Sequence, residues 1–291
     1  MDTNDISIVI PAYNEDGAVA ETVKAVHSAC RTSHTVDKYE IIVVNDGSTD
    51  ETLARAEEAG AKVISHPVNS GYGKSLKDGI INAQYDTIII LDSDGSYPAD
   101  SIPALLDKYR LGFDLVVGSR QKDGYRDSFY KSILRSILNF LVEFTTGTKI
   151  PDVNSGFRIF SKKTVMTYFN HLCDTFSFTS SQTLAYLMTR RFVCYLPIAY
   201  GVRVGKSKVS LFRDMLRTFQ YIVFQILYFN PIKLFLLLIA FFIILALFAF
   251  AFSFVTGLAI GYFVGLICII NCGLLLALGL ISEQLRQLMI R

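Results

Sequence analysis

Tryptophan is absent from the chain, which removes every motif that requires it. Cysteine is sparse. Cys30, Cys173, Cys194, Cys268 and Cys272 form no CxxC pair and no His/Cys cluster at zinc spacing. An odd, scattered set excludes a disulfide framework and a zinc ribbon, and it reads as free thiols in a reducing compartment. The four histidines (His27, His34, His66 and His171) fall in no catalytic motif, so no Ser-His-Asp triad is expected. The N-terminal stretch "MDTNDISIVIP" has no basic region followed by a long apolar run, so no cleaved signal peptide is expected. A net charge of +2 leaves no electrostatic footprint for a nucleic-acid partner. "NSGYGKS" ends like a phosphate-binding loop, but the glycine required five positions before Gly73 is Val68. Its glycines are expected to shape the turn before a helix.

Charge is also scarce, at 19% of 291 residues against 51% hydrophobic, and the mean hydropathy is +0.38. That excess must be concentrated somewhere, and it lies at the far end. Residues 232–254 carry only Lys233, and 257–281 carry no charge. Each run exceeds the roughly 20 residues that cross a bilayer core. The linker "SFVTG" is short enough to be the tip of a hairpin. Lysines and arginines lie before the first run and after the second, none at the tip. The positive-inside rule puts both ends in the cytoplasm. Residues 210–230 mix Arg213 and Arg217 with apolar and aromatic residues, as a helix along the membrane surface does. A helix packed on the preceding domain is the alternative.

The first 200 residues alternate differently. "ISIVIP", "YEIIVVND", "AKVISHP", "DTIIILD" and "DLVVGSR" read as buried strands, with helical periodicity between them. That pattern predicts an α/β fold, a mostly parallel sheet with helices on both faces. Ligands bind such sheets beyond the carboxyl ends of the strands. Here those ends read "PAYNE", "NDGSTD", "DSDG" and "GSR": all polar, three of them acidic, and so one site. Asp92 and Asp94 stand one residue apart after an apolar strand. Bare like charges so close are costly unless a cation neutralises them.

In this order, "IVIPAYNE", "IIVVNDGSTD", "IIILDSDG" and "LVVGSR" resemble the N-terminal half of family-two inverting glycosyltransferases with a GT-A fold, a Rossmann-like sheet. "DVNSGFRIF", "RVGKSKVS" and the hairpin narrow the resemblance to polyprenyl-phosphate glycosyltransferases, akin to dolichol-phosphate mannose synthase and bactoprenol glucosyltransferases. The resemblance implies a catalytic domain over 1–209, a juxtamembrane helix over 210–230 and a transmembrane hairpin over 231–291. It implies a nucleotide-sugar donor, UDP- or GDP-linked, a polyprenyl phosphate acceptor, and transfer of a hexose-type sugar by single displacement with inversion. The location it implies is the cytoplasmic face of a bacterial or archaeal inner membrane rather than endoplasmic reticulum.

Residue by residue, the resemblance makes Asp92 and Asp94 the DxD motif, binding Mg²⁺ or Mn²⁺ through hard oxygen donors. Ser96 stands where close relatives often have Gln, so a water is expected to replace a third protein ligand. Pro11, Tyr13, Glu15 and Asp46 would contact the nucleoside. Arg120 would meet the acceptor phosphate, with Lys131 and Arg135 beside it on "FYKSILRSILNFLVEF". Ser155 and Arg158 belong to a loop near the sugar, where Arg158 either orients substrate or buttresses the site. Arg203 and Lys208 would close on the diphosphate, and their patch would also suit membrane lipid. Gly257, Gly261 and Gly265 form a small-residue stripe that packs the hairpin on itself or on another copy. Two rival readings are a processive polysaccharide synthase and a retired, membrane-anchored scaffold. The missing tryptophan removes the QxxRW motif of the first. The intact Asp92, Asp94 and Arg120 argue against the second.

Overall fold

The computed structural model describes residues 4–121, 140, 142–201 and 211–289. The chain divides into two compact units, Met1–Ile222 and Val223–Arg291.

The first unit is built on seven strands in the order β3-β2-β1-β4-β6-β5-β7. These are β1 (Ile6–Ala12), β2 (Tyr39–Asn45), β3 (Lys62–Ser65), β4 (Thr87–Ile90), β5 (Leu115–Arg120), β6 (Arg158–Ser161) and β7 (Val193–Ile198). The helices of the unit are α1 (Val19–Thr32), α2 (Thr52–Glu58), α3 (Tyr72–Ile81), α4 (Ile102–Arg110), α5 (Lys162–Met166) and α6 (Phe178–Met188). Strand side chains alternate between faces, and β1 displays this plainly. Ile8 and Ile10 join Val23 and Val26 of α1 and Leu105 of α4 in one core. Val9 points the other way, where α3 packs so closely that a Cβ on Gly79 would fall 2.4 Å from it. The sheet is therefore covered on both faces, as its near-continuous apolar strands require.

Two features of the topology make the site. The chain leaves β1 for β2 on one side and returns to β4 on the other, which opens a crevice at the carboxyl ends of β1 and β4. Strand β6 then runs antiparallel to both β4 and β5, with Arg158 opposite Ile90 and Val117. Its amino end, and the "DVNSG" loop before it, thereby reach the same edge as the carboxyl ends of its neighbours.

Helix α7 (Leu211–Phe229) precedes the hairpin, which consists of α8 (Pro231–Thr256) and α9 (Ala259–Met289). Both hairpin helices are long and apolar enough to cross a membrane. Gly257 ends α8 in the left-handed region at φ 72°, its N–H donating to Ser253 O, so the tip is tighter than the sequence suggests. The glycine stripe is used inside the hairpin. A Cβ on Gly261 would fall 2.5 Å from Ala249 O, and one on Gly265 would fall 2.5 Å from the Phe250 ring. Both glycines are taken up by α8, whereas a Cβ on Gly257 at the tip would meet nothing within 4 Å among the described residues.

Candidate active site

Asp92 and Asp94 follow β4 directly, at the crevice. Tyr72, the first residue of α3, donates its hydroxyl to Asp92 Oδ1 at 2.8 Å. Burial, then the charge of Asp92, pushes the Tyr72 phenol well above its ordinary pKa, so it stays protonated and donates. On its other side the Asp92 carboxylate rests against Gly156, where a Cβ would lie 2.5 Å from Oδ2. Gly156 is fixed in turn, its N–H donating to the Tyr97 hydroxyl at 2.8 Å. Asp94 is buried, and both the backbone N–H and the hydroxyl of Ser96 donate to its Oδ1. Ser96 therefore orients Asp94. Among the described residues no group of three or more His, Cys, Asp or Glu gathers as metal ligands. The set fits a hard divalent cation that takes two carboxylates from the protein and its remaining oxygens from elsewhere.

Arg120, at the end of β5, forks onto Asp152. Its Nε donates to Oδ2 at 2.7 Å and its Nη2 to Oδ1 at 2.9 Å, while the backbone N–H adds a longer bond. Burial opposes the charge on each, but the pairing outweighs it and holds Arg120 up and Asp152 down from their ordinary pKa values. The guanidinium also lies over the Tyr200 ring, 5.3 Å from its centroid. Tyr200 meets Tyr97 edge-on, and Gly201 N–H donates to Ser96 O at 2.8 Å. The strand ends at 92–97, 120, 152–156 and 200–201 thus form one connected wall.

Arg158 lies beneath it with no exposed surface. Its Nε donates to Ser155 O at 2.6 Å, Nη2 to Val153 O at 2.8 Å, and Nη1 to Thr179 O and Thr183 Oγ1, both at 2.7 Å. Burial lowers its pKa from the ordinary arginine value. The geometry favours the buttress over the substrate contact, because every bond goes to the loop before β6 or to α6. Ser155, equally buried, donates to Gly118 O and ties that loop to β5.

On the other side of the crevice, Pro11 is buried within β1, and Tyr13 and Glu15 follow in the turn, partly exposed. That turn is laced to the next strand end. Asn14 Oδ1 accepts from Thr49 N–H at 2.8 Å, and Glu15 N–H donates to Thr52 Oγ1 at 2.8 Å. Asp46 has a partner that sequence reasoning missed. Its Oδ1 lies 2.7 Å from His66 Nδ1 and accepts from Ser70 N–H, while Oδ2 accepts from Gly71 N–H at 2.9 Å. Asp46 therefore anchors the turn that starts α3 and delivers Tyr72. Gly71 in that turn has φ 106°, the role expected of a turn glycine. His66 Nε2 stands 3.1 Å from Asp78 Oδ2, off the line for a hydrogen bond. Lys131, Arg135, Arg203 and Lys208 lie outside the described residues.

The family model for Glycosyl transferase family 2 matches residues 7–169. An undecaprenyl-phosphate 4-deoxy-4-formamido-L-arabinose transferase of Klebsiella pneumoniae (strain 342) is 32% identical over 216 residues, 72% of this chain and 63% of that protein. The protein of the same description from Salmonella choleraesuis (strain SC-B67) matches over the same shares. The chain thus spans just under two thirds of the length of these relatives. Glucosyl-3-phosphoglycerate synthase from Mycobacterium tuberculosis, in complex with Mn²⁺, UDP and glucosyl-3-phosphoglycerate, has a TM-score of 0.61 at 21% identity, covering 76% of this chain and 80% of that one. The same enzyme with phosphoglyceric acid gives 0.62 at 20% identity over the same shares. Those likenesses are of fold, and they agree with the mostly parallel sheet described above. One family accounts for more than half of the sequence, including every strand end from β1 to β6, and the chain belongs to glycosyl transferase family 2.

Proposed function

We propose that the chain transfers a sugar from a nucleotide sugar to a polyprenyl phosphate at the cytoplasmic face of a bacterial membrane. The observation that carries this is the wall joining Asp92 and Asp94 to the Arg120–Asp152 fork. One end of it suits a metal-bound diphosphate and the other an anionic headgroup. The names of the undecaprenyl-phosphate relatives support the acceptor. The neighbour that holds Mn²⁺ and UDP supports a nucleotide diphosphate and a divalent cation.

Asp92 and Asp94 would hold Mg²⁺ or Mn²⁺, which when bound neutralises charge on the departing diphosphate. Pro11, Tyr13 and Glu15 would line the nucleoside side. Asp46 would set the turn beneath it. Arg120 would present its remaining Nη1 to the lipid phosphate, with Lys131 and Arg135 in support. Arg203 and Lys208 would close on the donor diphosphate. The lipid phosphate is already anionic at neutral pH, so no general base is required. Its oxygen bonds to the anomeric carbon as the bond to the nucleoside diphosphate breaks, which inverts that carbon. What the protein contributes is in-line positioning.

The test is a screen of UDP- and GDP-sugars, hexoses and modified pentoses alike, with purified protein, Mg²⁺ and a short-chain polyprenyl phosphate. A lipid-linked sugar is the expected product. Nucleotide binding with no transfer to lipid from any donor would overturn the reading in favour of a retired scaffold or a sugar-nucleotide sensor. The two basic groups are expected to separate by substrate. Arg120→Lys keeps a partner for Asp152 but loses the fork, and should raise the lipid KM about ten- to a hundredfold. Donor binding by calorimetry should hardly change. Lys208→Ala should do the reverse. Equal loss of donor binding in both variants would move Arg120 to the diphosphate.

The proposed organisation keeps catalysis in 1–209, a surface helix in 210–230 and the membrane hairpin in 231–291. The basic residues on either side of the hairpin favour a cytoplasmic catalytic unit. A cysteine at Thr256 should then label from outside intact cells, and one at Gln287 only after permeabilisation. The opposite pattern would reverse the topology.

A further inference from the structure

We propose that the sugar of the donor stacks on the ring of Phe176, which selects a pyranose that presents a face of C–H bonds. The proposal rests on the functional reading above and adds the sugar subsite to it. Tyr72 is the link between the two. Its hydroxyl donates to Asp92 Oδ1 at 2.8 Å. Its ring stands 6.0 Å from the Phe176 ring, centroid to centroid, with the planes at 48°. A nucleotide sugar joins its sugar directly to its diphosphate. With the diphosphate at Asp92 and Asp94, the sugar lies next to those carboxylates, and Phe176 is one aromatic ring removed from them.

An exposed phenylalanine is ordinary by itself. This one is distinguished by its place and by how firmly its backbone is held. Phe176 is 44% exposed, whereas Phe178, two residues on, is fully buried. The turn that carries it is fastened to α3. Lys74 N–H donates to Asp174 O at 2.8 Å, and Lys77 Nζ donates to Leu172 O at 2.7 Å and to the Asp174 carboxylate. The two segments lie so close that a Cβ on Gly73 would fall 2.2 Å from Cys173 O. The turn is fastened to α6 as well. Cys173 N–H donates to Ser181 Oγ at 3.2 Å, and Phe178 N–H to Thr175 O at 3.2 Å. Arg158 then ties Thr179 O to Val153 O of the loop beside Asp92. The ring is therefore placed before any ligand arrives, and little ordering remains to oppose binding. The family model ends at residue 169, so its match leaves this turn out.

A pyranose carries its equatorial hydroxyls at the rim and C–H bonds on its two faces. Those hydrogens bear partial positive charge, and the face of an aromatic ring is negative. Stacking also removes apolar surface of both partners from water. An axial hydroxyl on the stacked face would lose its water without gaining a partner, which is unfavourable. The ring thereby sorts sugars by the face they present as well as holding them.

The test is calorimetry on the full-length protein in detergent with Mg²⁺. It compares a nucleoside diphosphate with its sugar conjugate, UDP with UDP-glucose and GDP with GDP-mannose. For a pair that the wild type binds, Phe176→Ala should weaken the conjugate about tenfold and the free diphosphate less than about twofold. The retained diphosphate binding also reports that the variant is folded. Phe176→Tyr keeps the aromatic face and should return the conjugate to within about threefold of wild type. Tyr72→Phe keeps its ring but loses the bond to Asp92, so it should weaken both members of the pair alike. Phe176→Ala should also bring two epimers closer in affinity, UDP-glucose and UDP-galactose or GDP-mannose and GDP-glucose. Equal loss of both members in Phe176→Ala, or loss of neither, would overturn the proposal. An epimer ratio unchanged by Phe176→Ala would overturn the selection. A raised KM for polyprenyl phosphate with donor binding unchanged would give the ring to the lipid and overturn it too. A wild type that binds neither pair would overturn the functional reading and the proposal together.

Discussion

Asp94→Asn is expected to reduce transfer at least about a hundredfold, the scale seen when one preorganised charge-stabilising group is removed. Folding should be unaffected. The substitution is nearly isosteric, and an amide oxygen can still accept the two bonds from Ser96. What changes is charge at the end of β4. The binding of Mn²⁺ in the presence of a nucleoside diphosphate, read by electron paramagnetic resonance, should weaken in parallel. Gly156→Ala should reach the same end by another route. Its new Cβ would meet the Asp92 carboxylate at 2.5 Å, so the carboxylate must move by about 1 Å. It would then lose its bond from Tyr72, and displacement on that scale costs about a hundredfold in rate. Full activity of either variant, or of the wild type in excess EDTA, would remove the metal-bound diphosphate from the mechanism.

Arg158→Met should act on stability. It strips a hydrogen bond from each of three carbonyls, those of Val153, Ser155 and Thr179, of which Thr179 O keeps its bond from Thr183 Oγ1. Each buried acceptor left unsatisfied costs about 1–3 kcal/mol, so a loss of about 2 kcal/mol follows from Ser155 and Val153 together. For a unit of this size that lowers Tm by about 4–8 °C. Thermal melting of the purified protein measures it. A variant that melts with the wild type yet fails to bind donor would return the guanidinium to the substrate and refute the buttress.

The sheet was legible wherever a strand was long and continuously apolar. Strands β1, β2 and β4 announce themselves because both faces are covered, and the polar residues at their ends mark the crevice. Strand β6 did not announce itself. "RIFS" is four residues inside a loop motif, and its antiparallel direction depends on pairing with strands some 40 and 70 positions earlier. The carboxylate pair was legible, but its supports were not. Tyr72 comes from 20 residues before Asp92, and its sequence neighbourhood looks like a turn. His66 sits beside a proline in no motif, and only the folded chain brings it to Asp46. The glycine stripe of the hairpin could be read, but not the helix it serves.

The Arg120–Asp152 fork joins positions 32 residues apart, and it sits at the base of the chain between them. That makes the intervening segment a cassette, held at its neck independently of its content. Changing the length of such an excursion costs little, about 0.6 kcal/mol for each doubling. The fork closes that neck through Arg120 and Asp152 themselves, both described and both at the edge of the crevice. Under the proposed function, a graft of that segment would be the route to a new acceptor, provided the arginine and the aspartate are retained at its two ends.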